Sequence, residues 1–156
     1  MGFREDLSQE TVGKLALRDA IAIDEHTILR AALALMRSNS LGCAVIVDQR
    51  SCPTGIFTEQ SVIRALVAGA SLDSVPVSKF TDPDFCVVRT SDPISVAWKA
   101  IVGSGARFLC VVDDNGGLVG LSGQRGLAEY VCDCFAKQIT VQRLGSAPWM
   151  LQREGA

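Results

Sequence analysis

Apolar positions recur along this chain at two spacings, and the order of the spacings repeats. In TILRAALALM, residues 27–36, Ile28, Ala31, Ala32, Leu35 and Met36 fall on one face at helical period. In PISVAWKAIV, residues 93–102, Ile94, Ala97, Trp98, Ile101 and Val102 do the same. Each predicted helix leads into an apolar strand ending in aspartate, CAVIVD at 43–48 and FLCVVD at 108–113. A turn follows, QRSCPT or DNGGLV, and then a second strand expected to open at Gly55 or Gly120, 7 positions after Asp48 or Asp113. A helix closes each copy, SVIRALVAG at 61–69 and GLAEYVCDCF at 126–135, and short strands precede the first helices, AIAI at 20–23 and FCVV at 85–88.

The pattern predicts an α/β fold (α+β-like) built from a strand–helix–strand–strand–helix unit used twice, about 65 residues apart. Local punctuation supports it. NGG at 115–117 marks a hairpin turn, and Asp92-Pro93 reads as an N-cap followed by proline at the first helical position. The division expected is an N-terminal extension at 1–11, a first repeat at 12–70, a linker at 71–78, a second repeat at 79–136 and a C-terminal tail at 137–156. The tail has no clean period; Trp149, Met150 and Leu151 there suit either a loose end or an arm docking on a partner subunit.

Composition narrows the function classes. The chain has 156 residues, 48% of them hydrophobic, and a mean hydropathy of +0.27, enough for a real core in a folded chain. Neither half is large enough to be very stable alone, so the halves are expected to pack together. Net charge is -2 with Lys and Arg scattered, so no nucleic acid partner is expected. No apolar run is long enough to span a bilayer, so no membrane partner is expected either. The start, MGFREDLSQE, does not read as a secretory signal, and Asp6 stands where a myristoylation signal wants Ser or Thr. Six cysteines (Cys43, Cys52, Cys86, Cys110, Cys132, Cys134) fit neither a secreted disulfide framework nor paired zinc knuckles. With one histidine in the chain, no metal site is expected, and the reducing cytoplasm is the compartment expected. His26 reads as a capping or surface residue, since no nucleophile stands beside it.

The stretches VPVSKFTDPD, LGCAVIVD, ARFLCVVDDNGGLVG and GIFTEQSVIRALVAG, in that repeated arrangement, resemble a tandem pair of cystathionine-β-synthase (CBS) domains, a Bateman module of the small stand-alone bacterial type. The resemblance covers roughly residues 12–135. It implies two β-α-β-β-α repeats packed sheet to sheet around a pseudo-twofold, with two clefts between them. It further implies adenosine ligands in those clefts (AMP, ADP, ATP, S-adenosylmethionine or NAD), homodimerisation through helices, and regulation rather than catalysis.

The family's nucleotide signature is Gly-apolar-apolar-Thr/Ser-x-x-Asp, in which the hydroxyl meets phosphate and the aspartate grips the ribose hydroxyls. The first repeat keeps Gly55 and Thr58 but has Ser61 in the aspartate position. The second keeps Gly120 but has Gly123 for the hydroxyl and Gly126 for the aspartate. Loss of a carboxylate gripping two hydroxyls costs about 1–3 kcal/mol, or roughly ten- to a hundred-fold in affinity. The glycines are expected to open space, with bare amides, Arg125 and Arg107 left to hold an anion. The first cleft, around Thr58, is therefore the stronger candidate on sequence. The expected function is a non-catalytic regulatory module that binds an adenosine nucleotide and signals to an effector protein. The alternative is a ligand-free dimerisation or interaction module with degenerate sites. An enzyme finds little support, since neither a Walker-type loop nor GxSxG is present.

Overall fold

The computed structural model describes residues 3–145. Helix α1 (Phe3–Gln9) precedes the first half, which contains β1 (Ala22–Ile23), α2 (Leu29–Ser38), β2 (Cys43–Val47), β3 (Pro53–Thr58) and α3 (Glu59–Val67). The second half contains β4 (Cys86–Arg89), α4 (Ile94–Trp98), β5 (Phe108–Val112), β6 (Leu118–Gly123) and α5 (Gln124–Gly145). Each half is a three-stranded sheet with the first pair parallel and the second antiparallel, in the order β1-β2-β3 and β4-β5-β6. Two α/β units with matching topology confirm the architecture expected from the pattern.

The central strands read as unbroken apolar runs because both faces are buried. On β2, Ala44 and Ile46 pack under the helices with Leu29, Ala32, Met36 and Phe57. Alternate residues Cys43 and Val45 face the other sheet, where they meet Ile56, Cys110 and Leu121. β5 does the same with Leu109 and Val111 toward its own helices. The sheets therefore pack on each other through a third, shared core, which fixes the halves relative to one another and creates clefts along the seam.

The segments before β1 and β4 cross over. Leu7, Val12 and Leu15 lie in the core of the second half with Val88, Ile94 and Leu127. Val77 lies in the core of the first half, with Leu72, Val75 and Phe80 packed against it. Residues 71–78, expected as a linker, thus contribute core. Each crossing segment pairs with the edge strand of the half it joins. Arg18 and Leu121 exchange backbone hydrogen bonds at 2.8 and 2.9 Å, and Asp82 and Ile56 exchange them at 2.9 and 3.1 Å.

Several local expectations are corrected. α2 buries Leu29, Ala32 and Met36, while Ala31 and Leu35 are exposed. Both faces were apolar enough to serve, and the sheet beneath selected one. Ile94, Ala97 and Ile101 are buried and Trp98 packs on the core, but Val102 is exposed. There the helix loosens into a π-helical turn over Lys99–Gly103, which rotates its register. β3 and β6 begin at Pro53 and Leu118, not at the glycines, because bulges at Ile46/Val47 and Val111/Val112 extend each pairing past the turn. Pro93, not Asp92, is the N-cap of α4, and the Asp92 carboxylate instead accepts from the Arg89 N–H at 2.8 Å. His26 sits in a turn ahead of α2, its N–H bonded to Asp24 Oδ1 at 2.7 Å. α5 runs on to Gly145, well beyond residue 135. Trp149, Met150 and Leu151 lie outside the described residues.

Candidate functional site

Two clefts lie along the seam between the halves. The first, about 690 Å³, takes Ile56 and Thr58 from the end of β3, Asp82 and Asp84 from the crossing segment, and Arg107 and Phe108 from the start of β5. The second, about 420 Å³, takes Arg18 from the other crossing segment, Arg107 and Phe108 again, and Ser122 to Gly126 from the junction of β6 and α5. Chain topology makes these junctions ligand-ready, because a strand end and the first amides of a helix face one opening.

The structure assigns Thr58 and Ser61 first of all to a helix cap. Thr58 is the N-cap of α3, and the two residues form a capping box. The Thr58 N–H donates to Ser61 Oγ at 3.1 Å, and the Ser61 N–H donates to Thr58 Oγ1 at 3.4 Å. Arg64 Nη2 also donates to Ser61 Oγ at 3.2 Å and to the Phe80 carbonyl at 3.1 Å. Ser61 is 0% exposed and does not line the cleft, whereas Thr58 does.

Gly55 and Gly120 are sites of close backbone approach. A Cβ on Gly55 would strike the Thr81 side chain, and one on Gly120 would lie 2.9 Å from the Arg18 carbonyl. Gly123 and Gly126 line the second cleft, but they do not open space there. A Cβ on Gly123 would lie 2.7 Å from the Arg107 carbonyl, and one on Gly126 would lie 2.6 Å from Ser122 Oγ and 3.0 Å from the Ala16 carbonyl. The glycines let neighbouring backbone close in, which corrects the expectation of a vacated pocket.

The clefts differ in charge. The first sets Asp82 and Asp84 against Arg107. The second gathers Arg18, Arg107 and Arg125, with Glu129 as the lone carboxylate, bonded to Arg125 Nε at 3.0 Å. Arg18 and Asp82 occupy equivalent places, as the bridge partners of Leu121 and Ile56. The second cleft also holds Ser122, 8% exposed, whose buried Oγ has no hydrogen-bond partner. It lies at the start of the 22-residue α5, whose N-terminus adds partial positive charge. Arg18, Ser122, Asp82 and Asp84 were not identified from sequence. Their cue was only positional, since each comes from a crossing segment or from the strand residue just before the signature position.

Burial holds the Cys43 and Cys110 thiols up at about 12, so both are inert core residues between the sheets. Among the described residues, no group of three or more His, Cys, Asp or Glu stands close enough to hold a metal ion, and no helix is long and apolar enough to cross a membrane.

Comparison with known proteins agrees with this architecture. A model of the CBS domain family matches twice, at residues 12–68 and 77–132. An uncharacterised protein of Methanopyrus kandleri is 32% identical over 112 residues, covering 71% of this chain; the chain spans 57% of that relative's length. A solved CBS domain protein of Pyrobaculum aerophilum, complexed with AMP, superposes with a TM-score of 0.68 at 24% identity, covering 87% of this chain and 99% of its own. The CBS domain pair of protein MJ0100, solved with 5'-methylthioadenosine and S-adenosyl-L-methionine, superposes with a TM-score of 0.67 at 15% identity, covering 79% and 96%. At these identities the superpositions establish the fold. With the doubled family match, the three-stranded sheets and the paired clefts in agreement, the chain belongs to the CBS domain family and carries two copies of the domain.

Proposed function

We propose that this chain is a regulatory module that binds an adenosine nucleotide through its phosphate in the second cleft and passes the occupancy to an effector protein. One observation carries the reading: Arg18, Arg107 and Arg125 all line the second cleft, beside the N-terminus of α5. That set supplies charge-assisted donors for a phosphate. The first cleft faces an anion with Asp82 and Asp84, and its threonine hydroxyl already serves a cap. The preference from sequence is therefore reversed. The AMP in the Pyrobaculum structure supports an adenylate, and the cationic lining favours AMP, ADP, ATP or NAD over the positively charged S-adenosylmethionine. The role is one of binding and signalling, not catalysis.

A second copy of this chain is the proposed assembly partner. Ile63, Leu66 and Val67 stand exposed on α3, Val67 at 84%. An apolar patch of this kind suits a subunit contact. Val67→Asp is expected to lower the mass found by sedimentation.

Calorimetric titration with AMP tests the main reading. Binding is expected to weaken roughly ten-fold or more in Arg18→Ala and in Arg125→Ala, as befits lost hydrogen bonds to a charged group. Wild-type affinity in both variants, or no heat with any adenosine ligand, would refute it.

A further inference from the structure

Arg107 lines both clefts. Its place in the repeat explains why there is one such side chain and not two. The symmetry that pairs Val111 with Ile46 and Cys110 with Val45 in the two central strands pairs Arg107 with Gly42. A symmetric module would carry an arginine at both equivalent positions, whereas this one carries Arg107 at one and Gly42 at the other.

That side chain is loosely held. Arg107 Nη2 lies 3.7 Å from Glu59 Oε2, an ion pair too long for a hydrogen bond, and its guanidinium carbon lies 5.5 Å from the Phe108 ring centroid. Both partners are largely solvated, Arg107 at 71% and Glu59 at 61% side-chain exposure. Such pairs are weak, so a ligand phosphate competes with Glu59 on favourable terms. Glu59 is the first residue of α3, and its counterpart at the start of α5 is the neutral Gln124. The carboxylate that competes for Arg107 therefore stands at the start of the first half's closing helix and has no counterpart in the second half.

We propose that Arg107 is one anion-binding side chain shared by the two clefts and parked on Glu59 in the free protein, so that the module binds a single anionic nucleotide per chain. A phosphate in the second cleft draws the guanidinium away from Glu59. The first cleft then keeps Asp82 and Asp84 with no cation in its lining and rejects a second anion. Occupancy of one cleft is thereby written into the charge of the other, and Glu59 sets the threshold. The inference rests on the proposed nucleotide binding and deepens it.

Titration calorimetry with AMP on the full chain tests this, using wild type, Glu59→Gln, Arg107→Ala and the double variant, with circular dichroism as the check on folding. Wild type is expected to take one equivalent of AMP. Glu59→Gln tightens binding up to roughly five-fold, the most an exposed ion pair supplies. Arg107→Ala weakens it roughly ten-fold or more. In the Arg107→Ala background the Glu59→Gln effect disappears, because Glu59 acts through Arg107. Two independent equivalents of equal affinity would overturn the proposal. So would the same tightening by Glu59→Gln with and without Arg107, which would mark a general field effect. If AMP binds without this coupling, only the sharing falls; if AMP does not bind wild type, the nucleotide reading falls and takes the sharing with it.

Discussion

Thr58→Ala separates a helix cap from a phosphate grip. Thr58 lines the first cleft, so its hydroxyl would meet a ligand there if the family signature operated in this copy. The structure instead gives the hydroxyl to the Ser61 N–H at 3.4 Å, in a box closed by Ser61 Oγ. The substitution removes that acceptor and leaves the Thr58 N–H bonded to Ser61 Oγ. Loss of a threonine cap costs about 1 kcal/mol, within a range of about 0.5–2. The long 3.4 Å contact argues for the lower half of that range. In a chain of this length 1 kcal/mol moves the midpoint by about 2–4 °C, so thermal denaturation should show a Tm lower by about 1–4 °C. Thr58→Ser keeps the acceptor and should restore most of the loss. AMP affinity should stay within about two-fold of wild type, since the proposed phosphate site is the other cleft; a ten-fold loss would correspond to about 1.4 kcal/mol. A ten-fold loss of affinity with unchanged Tm would refute the reasoning and return Thr58 to the ligand.

Three further outcomes follow from the packing. Gly120→Ala places a Cβ 2.9 Å from the Arg18 carbonyl and strains the backbone bridge to Leu121. Overpacking of about 1–3 kcal/mol outweighs the roughly 0.5–1 kcal/mol gained by replacing glycine. Its urea midpoint should fall, and an unchanged midpoint would contradict the close approach. Tyr130 OH donates to Glu10 Oε2 at 2.7 Å, and this bond is the largest cause holding the Glu10 carboxyl below its ordinary 4.5. A lowered carboxylate stabilises above the unfolded value and loses that contribution as pH falls through the folded one. The stability gap between wild type and Tyr130→Phe should therefore be widest above pH 4.5 and close in more acidic urea titrations; a constant gap would place the effect in packing alone. Burial pushes the Cys43 and Cys110 thiols well above their ordinary value, so both stay protonated at pH 8. Iodoacetamide mass mapping should find exposed Cys132 labelled in the native protein and those two only in denaturant. Native labelling of Cys110 at the rate of Cys132 would refute their burial.

The doubled unit was legible because strand and helix periods are local properties. CAVIV and FLCVV need both faces buried to justify five apolar residues in succession, whatever covers them. The capping box of Thr58 and Ser61 is equally local, spanning four residues, although the sequence pattern there reads as a nucleotide signature. What the glycines do was not legible. Gly123 and Gly126 looked like lost ligand groups, yet they admit the carbonyls of Arg107 and Ala16 from other segments, and Gly126 also admits the Ser122 hydroxyl. The buried side of α2 was ambiguous for a related reason: Ala31 and Leu35 are as apolar as Leu29 and Ala32, and only contact with Ala44, Ile46 and Val77 chose between them.

The sequence by itself determined the repeat, its element order, its family likeness and the degeneration of both nucleotide signatures, because each is written in residues near one another along the chain. Tertiary structure alone decided which cleft is cationic. The segments before β1 and β4 cross to the opposite half, so Arg18 reaches the second cleft and Asp82 the first. Charge acts through space, and the arginines that line the second cleft are up to 107 positions apart in the chain, Arg18 to Arg125 being 125 − 18 = 107.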